Sequence, residues 1–466
     1  MKDKINKIQH FFFGKSDFTA NAMSPLYVPE RQIRHFDYQL KEAKNMGIDA
    51  ISVDIWWGLV CPQKNTYDWS YYDRIFDMIL LHGLKIMPLI SFHACGTNVG
   101  DEYFQPLPDW LWKSILQNYS SLQANDLKFV SEEGTANDET ISLWADRYAM
   151  PYYEDFLRNF ALHFERIAPF TQEINIGCGA AGELRYPSYN YHDGGAYPNR
   201  GRLQCYSRSA LLDFWVKMQK KYRDIDSLNK AWDTKHKKFE DIQMPKYGHF
   251  FFEENQYRVT QYGIDLINWY NESLIEHGRR MIEMAIKILD NTAFSKTHLG
   301  IKIPGIHWRM ADPKNPRTAE ITAGLIPSID NSSTEDGFGY KKLINGTILP
   351  YWRKRVVLHF TCLEMGDNEG RADAYSKAES LVFWVGNAAK SLGVTLKGEN
   401  ALADGVKWHD GWDKIDNAVQ NAHYQGLTIL RIGEVTQGIG QKRYQKLISH
   451  VKASPFKAWL KGIFGK

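Results

Sequence analysis

The chain has 466 residues, of which 44% are hydrophobic and 24% charged, enough for one large domain or for two to three ordinary ones. A formal net charge of only +3 argues against a nucleic-acid-binding protein. The five cysteines are scattered and include no Cys-x-x-Cys pair, which predicts free buried thiols and excludes a disulfide framework or a structural zinc site. Aromatic residues reach 14%, which suits carbohydrate binding and equally a large aromatic core.

The two chain ends carry little functional information. Residues 1–17 form an N-terminal extension with neither a long apolar run nor a cleavage site, so no secretory signal is visible. We therefore expect a cytoplasmic protein, or one exported by a route that needs no signal peptide. Residues 451–466 form a basic, weakly amphipathic tail, and we expect it to pack on its own domain or fray rather than bind a membrane.

Eight short apolar runs recur along the chain. They lie at 21–28, 50–57, 84–92, 173–178, 299–308, 356–361, 394–398 and 427–432. Most are rich in Val, Ile and Leu and lack regular polar alternation, which is typical of strands that are covered on both faces.

Helical patterns separate these runs, at 31–46, 71–81, 262–289 and 378–392, and several end at a glycine. Alternating strands and helices predict a parallel sheet, and eight units predict a (β/α)₈ TIM barrel in the α/β class. A doubly wound open sheet is the alternative, but no Gly-x-Gly-x-x-Gly follows the first strand. The gaps 92–173 and 178–299 predict long loop insertions at the C-terminal face of the strands, within one domain at 18–450.

Two glutamates stand out because each lies in a glycine-flanked segment just beyond a predicted strand. They are Glu183 and Glu399. Carboxylates at the ends of parallel strands can face each other across a sugar. One can then protonate the glycosidic oxygen while the other acts on the sugar. If the second carboxylate activates water, the two carboxyls lie about 6.5–9.5 Å apart; if it attacks the ring itself, they lie about 5–5.5 Å apart.

An ordered series of motifs resembles glycoside hydrolase family 14, the β-amylases, from about Met23 to Arg431. The motifs are MSPL (23–26), VDIWWG (53–58), SFHACGTNVGD (91–101), GCGAAGELRYPSY (177–189), KIPGIHW (302–308), FTCLEM (360–365), GEN (398–400) and LR (430–431). One such motif would be weak support, but eight in the same order are specific.

The resemblance implies an exo-acting, inverting enzyme that needs no metal or cofactor. Such an enzyme cleaves α-1,4-glucosidic bonds of starch-like glucans or maltooligosaccharides from the non-reducing end and releases β-maltose. Three alternatives remain: a catalytically inactive glucan or maltose sensor on the same barrel, a retaining glycosidase, and a membrane-associated protein acting through its tail. We expect a monomer.

The resemblance also assigns roles to residues. Glu183 is the expected general acid and Glu399 the expected general base, which Lys397 could help to keep charged. Asp101 is expected to close over the sugar on a lid that starts at Gly96. The remaining expected substrate-binding residues are Asp54, His93, Ala181, Tyr189, Lys302, Gly305, His307, Trp308, Phe360, Thr361, Asn400, Ala401, Leu402 and Arg431.

Two departures from the family pattern adjust these expectations. The loop at 59–64 lacks the acidic residues with which related bacterial enzymes bind calcium, so a calcium site is not expected. About 35 residues follow Arg431, too few for a starch-binding module, so soluble chains are the expected substrates rather than raw granules.

Overall fold

The computed structural model describes residues 17–96, 101–189, 193–328 and 339–453. The predicted N-terminal extension up to residue 16, lid residues 97–100 and the tail from residue 454 lie outside the described residues.

Eight parallel strands close into a barrel. They are β1 (Thr19–Met23), β2 (Ala50–Trp56), β3 (Lys85–Ser91), β4 (Glu173–Ile176), β5 (His298–Ile303), β6 (Val356–Phe360), β7 (Thr395–Glu399) and β8 (Gly426–Ile429). Each strand pairs with its sequence neighbours, and β8 pairs with β1, where Asn21 faces Thr428. The predicted (β/α)₈ barrel is confirmed, and the open-sheet alternative was wrong.

Helices surround the barrel and fill the long insertions. The α-helices are Ile33–Met46, Trp57–Val60, Ser70–Leu81, Asp109–Asn118, Asp146–His163, Arg208–Tyr222, Ile225–Trp232, Gly248–Glu253, Gln256–Val259, Gln261–Leu289, Thr318–Thr322, Tyr340–Thr347, Ala378–Leu392, His409–Asn421, Ile432–Val435 and Gly438–Val451. A small antiparallel hairpin pairs Phe129–Val130 with Ala136–Asn137. Within the described residues, no helix has the length and apolar character that crossing a membrane requires.

The first barrel helix illustrates how local sequence sets an element. Helix Ile33–Met46 buries Phe36, Leu40 and Ala43, which are spaced by three and four residues and so share one face. It ends because Gly47 adopts a φ of 88°, a left-handed conformation that side chains disfavour, and its N–H bonds back to the Ala43 and Lys44 carbonyls.

Strand ends differ from the apolar runs where proline intervenes. The run predicted at 21–28 forms a strand only to Met23, because Ser24-Pro25 follows and proline cannot donate a ladder hydrogen bond. The run at 299–308 likewise forms a strand only to Ile303, just before Pro304. All five cysteines are buried with free thiols, as predicted.

The barrel interior is polar where most barrels are apolar. In β6, Val356, Leu358 and Phe360 join the apolar core outside the barrel, so His359 between them points inward. By the same alternation Lys302 on β5 points inward, and like His359 it is buried. Lys302 and His359 are register partners, so the inward residues of neighbouring strands form layers across the barrel.

Candidate active site

The two glutamates lie at the carboxyl end of the barrel on different strands. Glu399 is the last residue of β7. Glu183 follows a 3₁₀ turn, Ala180–Gly182, and bridges in parallel to Lys302, so it continues the direction of β4 beyond that turn. The Leu184 N–H donates to the Lys302 carbonyl at 2.7 Å, which fixes the segment to β5.

Glu183 occupies an enclosed site in which burial raises the pKa of its carboxyl. Its side chain is 14% exposed, and Arg185 Nε donates to Glu183 Oε2 at 2.9 Å. Burial raises the pKa of Glu183, and the charge of Glu399 adds to this, while Arg185 and Lys302 oppose it. Loss of hydration outweighs the two cations, so the pKa stays above its ordinary value.

At Glu399 the neighbouring positive charges outweigh the effect of burial on the pKa. Lys302 Nζ donates to its Oε2 at 2.9 Å, and His359 Nδ1 lies 3.0 Å from its Oε1. Burial alone would raise the pKa of Glu399, but the Lys302 ammonium and His359 lower it to about 2. This carboxylate therefore stays ionised through the working range of most enzymes, whereas the pKa of Glu183 is shifted in the opposite direction. Paired carboxyls with pKa values moved apart can serve as acid and base.

Asp54 and Arg431 meet at the mouth of the barrel. Arg431 Nη1 lies 3.2 Å from Asp54 Oδ2, and it also donates to the Ser24 carbonyl at 2.9 Å. Asp54 is buried near the end of β2, two residues before Trp56, and His93 follows β3 with its ring edge-on to Trp56 at 5.4 Å between centroids. Burial, with the charges of Arg185 and Lys302, lowers the pKa of His93 to about 3, so the ring is neutral.

Aromatic side chains form one wall of the site. The ring of Trp308 contacts Tyr189 at 5.2 Å, His307 at 5.5 Å and Tyr197 at 5.5 Å between centroids. Arg185 lies over Tyr189 at 4.2 Å. Burial lowers the pKa of His307 to about 4, and its Nδ1 is 2.7 Å from Ser376 Oγ, so a neutral, oriented imidazole results.

Several expected substrate-binding residues lie in the loops that follow β4, β5 and β6, and hydrogen bonds of their backbone N–H groups hold these loops in place. The Gly305 N–H donates to Thr361 Oγ1 at 2.7 Å, and a Cβ at Gly305 would lie 2.3 Å from Cys362 Sγ, so only glycine fits. Ala181 adopts a φ of 56°, and its N–H donates to Glu139 Oε1 at 2.6 Å. These contacts shape the loops without using up the Thr361 hydroxyl proton.

The segment after Glu399 is also braced. Asn400 exchanges hydrogen bonds with the Leu430 backbone at 2.8 and 2.9 Å, so its amide joins the ends of β7 and β8. Glu364 accepts the N–H groups of Ala401 and Leu402 at 2.8–3.0 Å. Leu402 is 49% exposed, so it is not an ordinary core residue and is accessible to a substrate.

Asp101 is hydrogen-bonded to the glycine at which the expected lid starts. Its Oδ2 accepts the Gly96 N–H at 3.1 Å, across the segment 97–100 that lies outside the described residues. The structure therefore places Asp101 beside the start of the expected lid, and its contact with a sugar stays a prediction.

Two expectations are corrected by the structure. Phe360 is fully buried in the core outside the barrel, so its ring offers no stacking face, because strand alternation turns it away from the site. Lys397 does not pair with Glu399. Its Nζ donates to Glu173 Oε2 at 2.7 Å, and Lys302 takes the role expected of it.

Glu173, His359, Glu139 and Glu364 were not singled out from the sequence. Glu173 and His359 are fully buried and connect to Glu399, and the other two hold loop backbone. The sequence could have pointed to Glu173 and His359, because a charged side chain inside an otherwise apolar strand needs a buried partner. Over the described ranges, no group of three or more His, Cys, Asp or Glu side chains could hold a metal ion.

A (β/α)₈ barrel with two carboxyls at its carboxyl end, one with a raised pKa and one with a lowered pKa, defines the class of barrel glycoside hydrolases. The chain belongs to glycosyl hydrolase family 14, whose family model matches residues 28–458.

Several relatives agree with this assignment. The chain is 35% identical over 426 residues to a β-amylase of Cytobacillus firmus, covering 91% of this chain and 84% of that one. It is 34% identical over 440 residues to a thermophilic β-amylase of Thermoanaerobacterium thermosulfurigenes, covering 92% and 74%. The crystal structure of the catalytic domain of a β-amylase from Paenibacillus polymyxa matches with a TM-score of 0.82 at 34% identity, covering 94% and 99%. A β-galactosidase from Marinomonas ef1 shares only the fold, at 12% identity and a TM-score of 0.56.

Proposed function

We propose that this chain is an exo-acting, inverting β-amylase. It hydrolyses α-1,4-glucosidic bonds of starch-like glucans from the non-reducing end and releases β-maltose. Family membership and identities of 34–35% to β-amylases support this activity. An α-1,4-glucan or maltooligosaccharide is the substrate, and the protein acts as a monomer.

Glu183 is the general acid in this mechanism. The enclosed carboxyl donates its proton to the glycosidic oxygen between the second and third glucose units, counted from the non-reducing end. The rest of the glucan chain then leaves as a neutral alcohol. Arg185, over which the ring of Tyr189 lies, holds the carboxyl in place through Oε2. After proton transfer, the same guanidinium stabilises the new carboxylate, because it is already hydrogen-bonded to it.

Glu399 is the general base. Its ionised carboxylate takes a proton from a water on the opposite face of the sugar ring, and the resulting attack at the anomeric carbon inverts its configuration. Lys302 and His359 each occupy one carboxylate oxygen, which leaves further lone pairs for that water. The single observation that carries the proposal is the placement of two enclosed carboxyls at the carboxyl end of the barrel, Glu183 paired with Arg185 and Glu399 held by Lys302 and His359.

Proton NMR of the products tests the proposal directly. Maltopentaose or soluble starch is mixed with enzyme and the anomeric signals are read within the first minutes, before mutarotation. The expected product is fresh β-maltose, absent with Glu183→Gln or Glu399→Gln. Initial α-anomer or a ladder of internal fragments would contradict the inverting exo mechanism.

The inactive-sensor alternative is not supported. A sensor would be free to lose an acid, a base or their partners, whereas this chain retains Glu183 with Arg185 and Glu399 with Lys302. Saturable maltose binding without any turnover is the result that would favour the sensor.

A further inference from the structure

A row of buried charged side chains lies in the barrel interior beneath Glu399. It consists of Glu173 at the start of β4, His359 in β6 and Lys397 in β7, and we call it the interior charge row. Glu173 and His359 have no solvent exposure, and Lys397 is 6% exposed. The acid and base steps do not themselves use these three side chains, although burying them is costly.

His359 is the bridge between this row and the catalytic base. Its Nδ1 lies 3.0 Å from Glu399 Oε1, and its Nε2 lies 2.5 Å from Glu173 Oε1. An ionised carboxylate can only accept hydrogen bonds, so an imidazole between two carboxylates needs a proton on both nitrogens. Burial alone would lower the pKa of His359, but Glu173 and Glu399 outweigh burial and raise it.

Glu173 is in turn fixed from the other side. Lys397 Nζ donates to its Oε2 at 2.7 Å. Burial would raise the pKa of Glu173, but Lys397 and His359 hold it well below its usual range. Gly300 on β5 provides the space, since a Cβ there would lie 2.3 Å from Glu173 Oε1. The surrounding residues therefore accommodate Glu173 in its ionised form.

Few other charges compete for His359 or Glu399. Among the described residues, the other titratable or charged side chains around the site include Lys302 on β5, Glu183 and Arg185 after β4, His93 after β3, and Asp54 and Arg431, which pair with each other at the mouth. Glu139 and His307 hydrogen-bond instead to the Ala181 N–H and to Ser376. Of the described interior residues, Asn21 on β1 and Thr428 on β8 are neutral. The positive partners of Glu399 are therefore Lys302 and His359, one on each oxygen.

We propose that His359 is a positioning residue for the reaction: as an imidazolium held by Glu173, which Lys397 fixes from its other oxygen, it sets the orientation of the Glu399 carboxylate and keeps it ionised in acid solution. This inference rests on the proposed role of Glu399 as the base. With a donor on each oxygen, the carboxylate cannot rotate away from the attacking water, which preserves the near-attack geometry.

The test compares the pH dependence of kcat/KM on maltopentaose for the full chain and its variants. The acid limb of that profile reports the pKa of the base in the free enzyme. His359→Asn keeps a neutral donor near Glu399, and His359→Leu keeps none. We expect the acid limb to move up by about one pH unit or more in both variants, because a cation beside the base is lost. We expect kcat to fall further in His359→Leu, with KM changed less than kcat.

Glu173→Gln is the second variant, and it acts at a distance from the substrate. It should move the acid limb in the same direction, since His359 then loses the carboxylate that keeps it charged. Added to His359→Asn, it should change the limb little. His277→Asn is the matched control: His277 is buried and its Nδ1 lies 2.8 Å from Asp146, but it does not touch Glu399, so the acid limb should stay at the wild-type value.

A direct measurement covers the case in which variants fold poorly. The wild-type protein is labelled with ¹⁵N-histidine, and the His359 signals are assigned by their loss in His359→Asn. At pH 7 these signals should be those of a ring that is protonated on both nitrogens. A neutral ring, or an acid limb unmoved in both His359 variants, would overturn the inference. Absence of β-maltose from the wild type would instead contradict the proposed function, and the NMR result on His359 would still stand.

Discussion

Replacing Lys302 by methionine removes the ammonium group but keeps most of the side-chain volume, and it should destabilise the fold through Glu399. Lys302 Nζ and Glu399 Oε2 are 2.9 Å apart, with both side chains 6% exposed. At that distance two unit charges attract by about 6 kcal/mol for an effective dielectric constant of about 20. Breaking one side of a buried pair costs about 3–5 kcal/mol, because the remaining charge is left without its partner.

The pKa of Glu399 gives a second measure of the same interaction. Its fall from 4.5 to about 2 corresponds to about 3 kcal/mol of stability at neutral pH. A lowered folded-state pKa means that this stability is present above pH 4.5 and is lost as the pH falls through 2. In Lys302→Met, burial of Glu399 is opposed only by His359, so the carboxyl should protonate more readily and the penalty should shrink in acid. We therefore expect a loss of about 3 kcal/mol at pH 7.5 and a smaller loss at pH 5.

The free energy of unfolding at each pH is measured by urea unfolding, followed through the fluorescence of the 15 tryptophans of the chain. The double variant Lys302→Met/Glu399→Gln is the matched control, since no unpaired carboxylate remains in it. It should be more stable than Lys302→Met alone at pH 7.5. The reasoning would be refuted by a double variant as unstable as the sum of the single changes, or by equal losses at both pH values.

Two further predictions concern the acid and the loop behind the base. Arg185→Met removes the cation that opposes protonation of Glu183, so the alkaline limb of kcat against pH should move up by about 1–3 units, whereas Arg185→Lys should leave it nearly in place. Burial raises the pKa of Glu364 to about 7, so its contribution to stability is present below pH 4.5 and is lost, by about 3 kcal/mol, as the pH rises through 7. In Glu364→Gln this part of the pH dependence of the urea midpoint should disappear, and an unchanged slope between pH 5 and 8 would contradict it.

The sequence by itself determined the architecture and the two principal carboxyls. Runs of Val, Ile and Leu without polar alternation mark strands covered on both faces, and Gly47 and Gly393 end their helices in left-handed conformations. Local patterns suffice for this because apolar periodicity and glycine act within one or two turns of chain. Glu183 and Glu399 were visible for the same reason, since Glu399 is the last residue of β7 and Glu183 lies in a glycine-rich segment a few residues beyond β4.

Tertiary structure alone decided which charges meet. Lys397 is two residues from Glu399 in the sequence, yet it pairs with Glu173, and the cation that holds Glu399 is Lys302, on a strand two positions away. Barrel strands are tilted and staggered, so partners at one height come from different strands through a register that no local pattern encodes. The pKa values of the two carboxyls follow from these contacts and from burial, and both exist only once the barrel has closed.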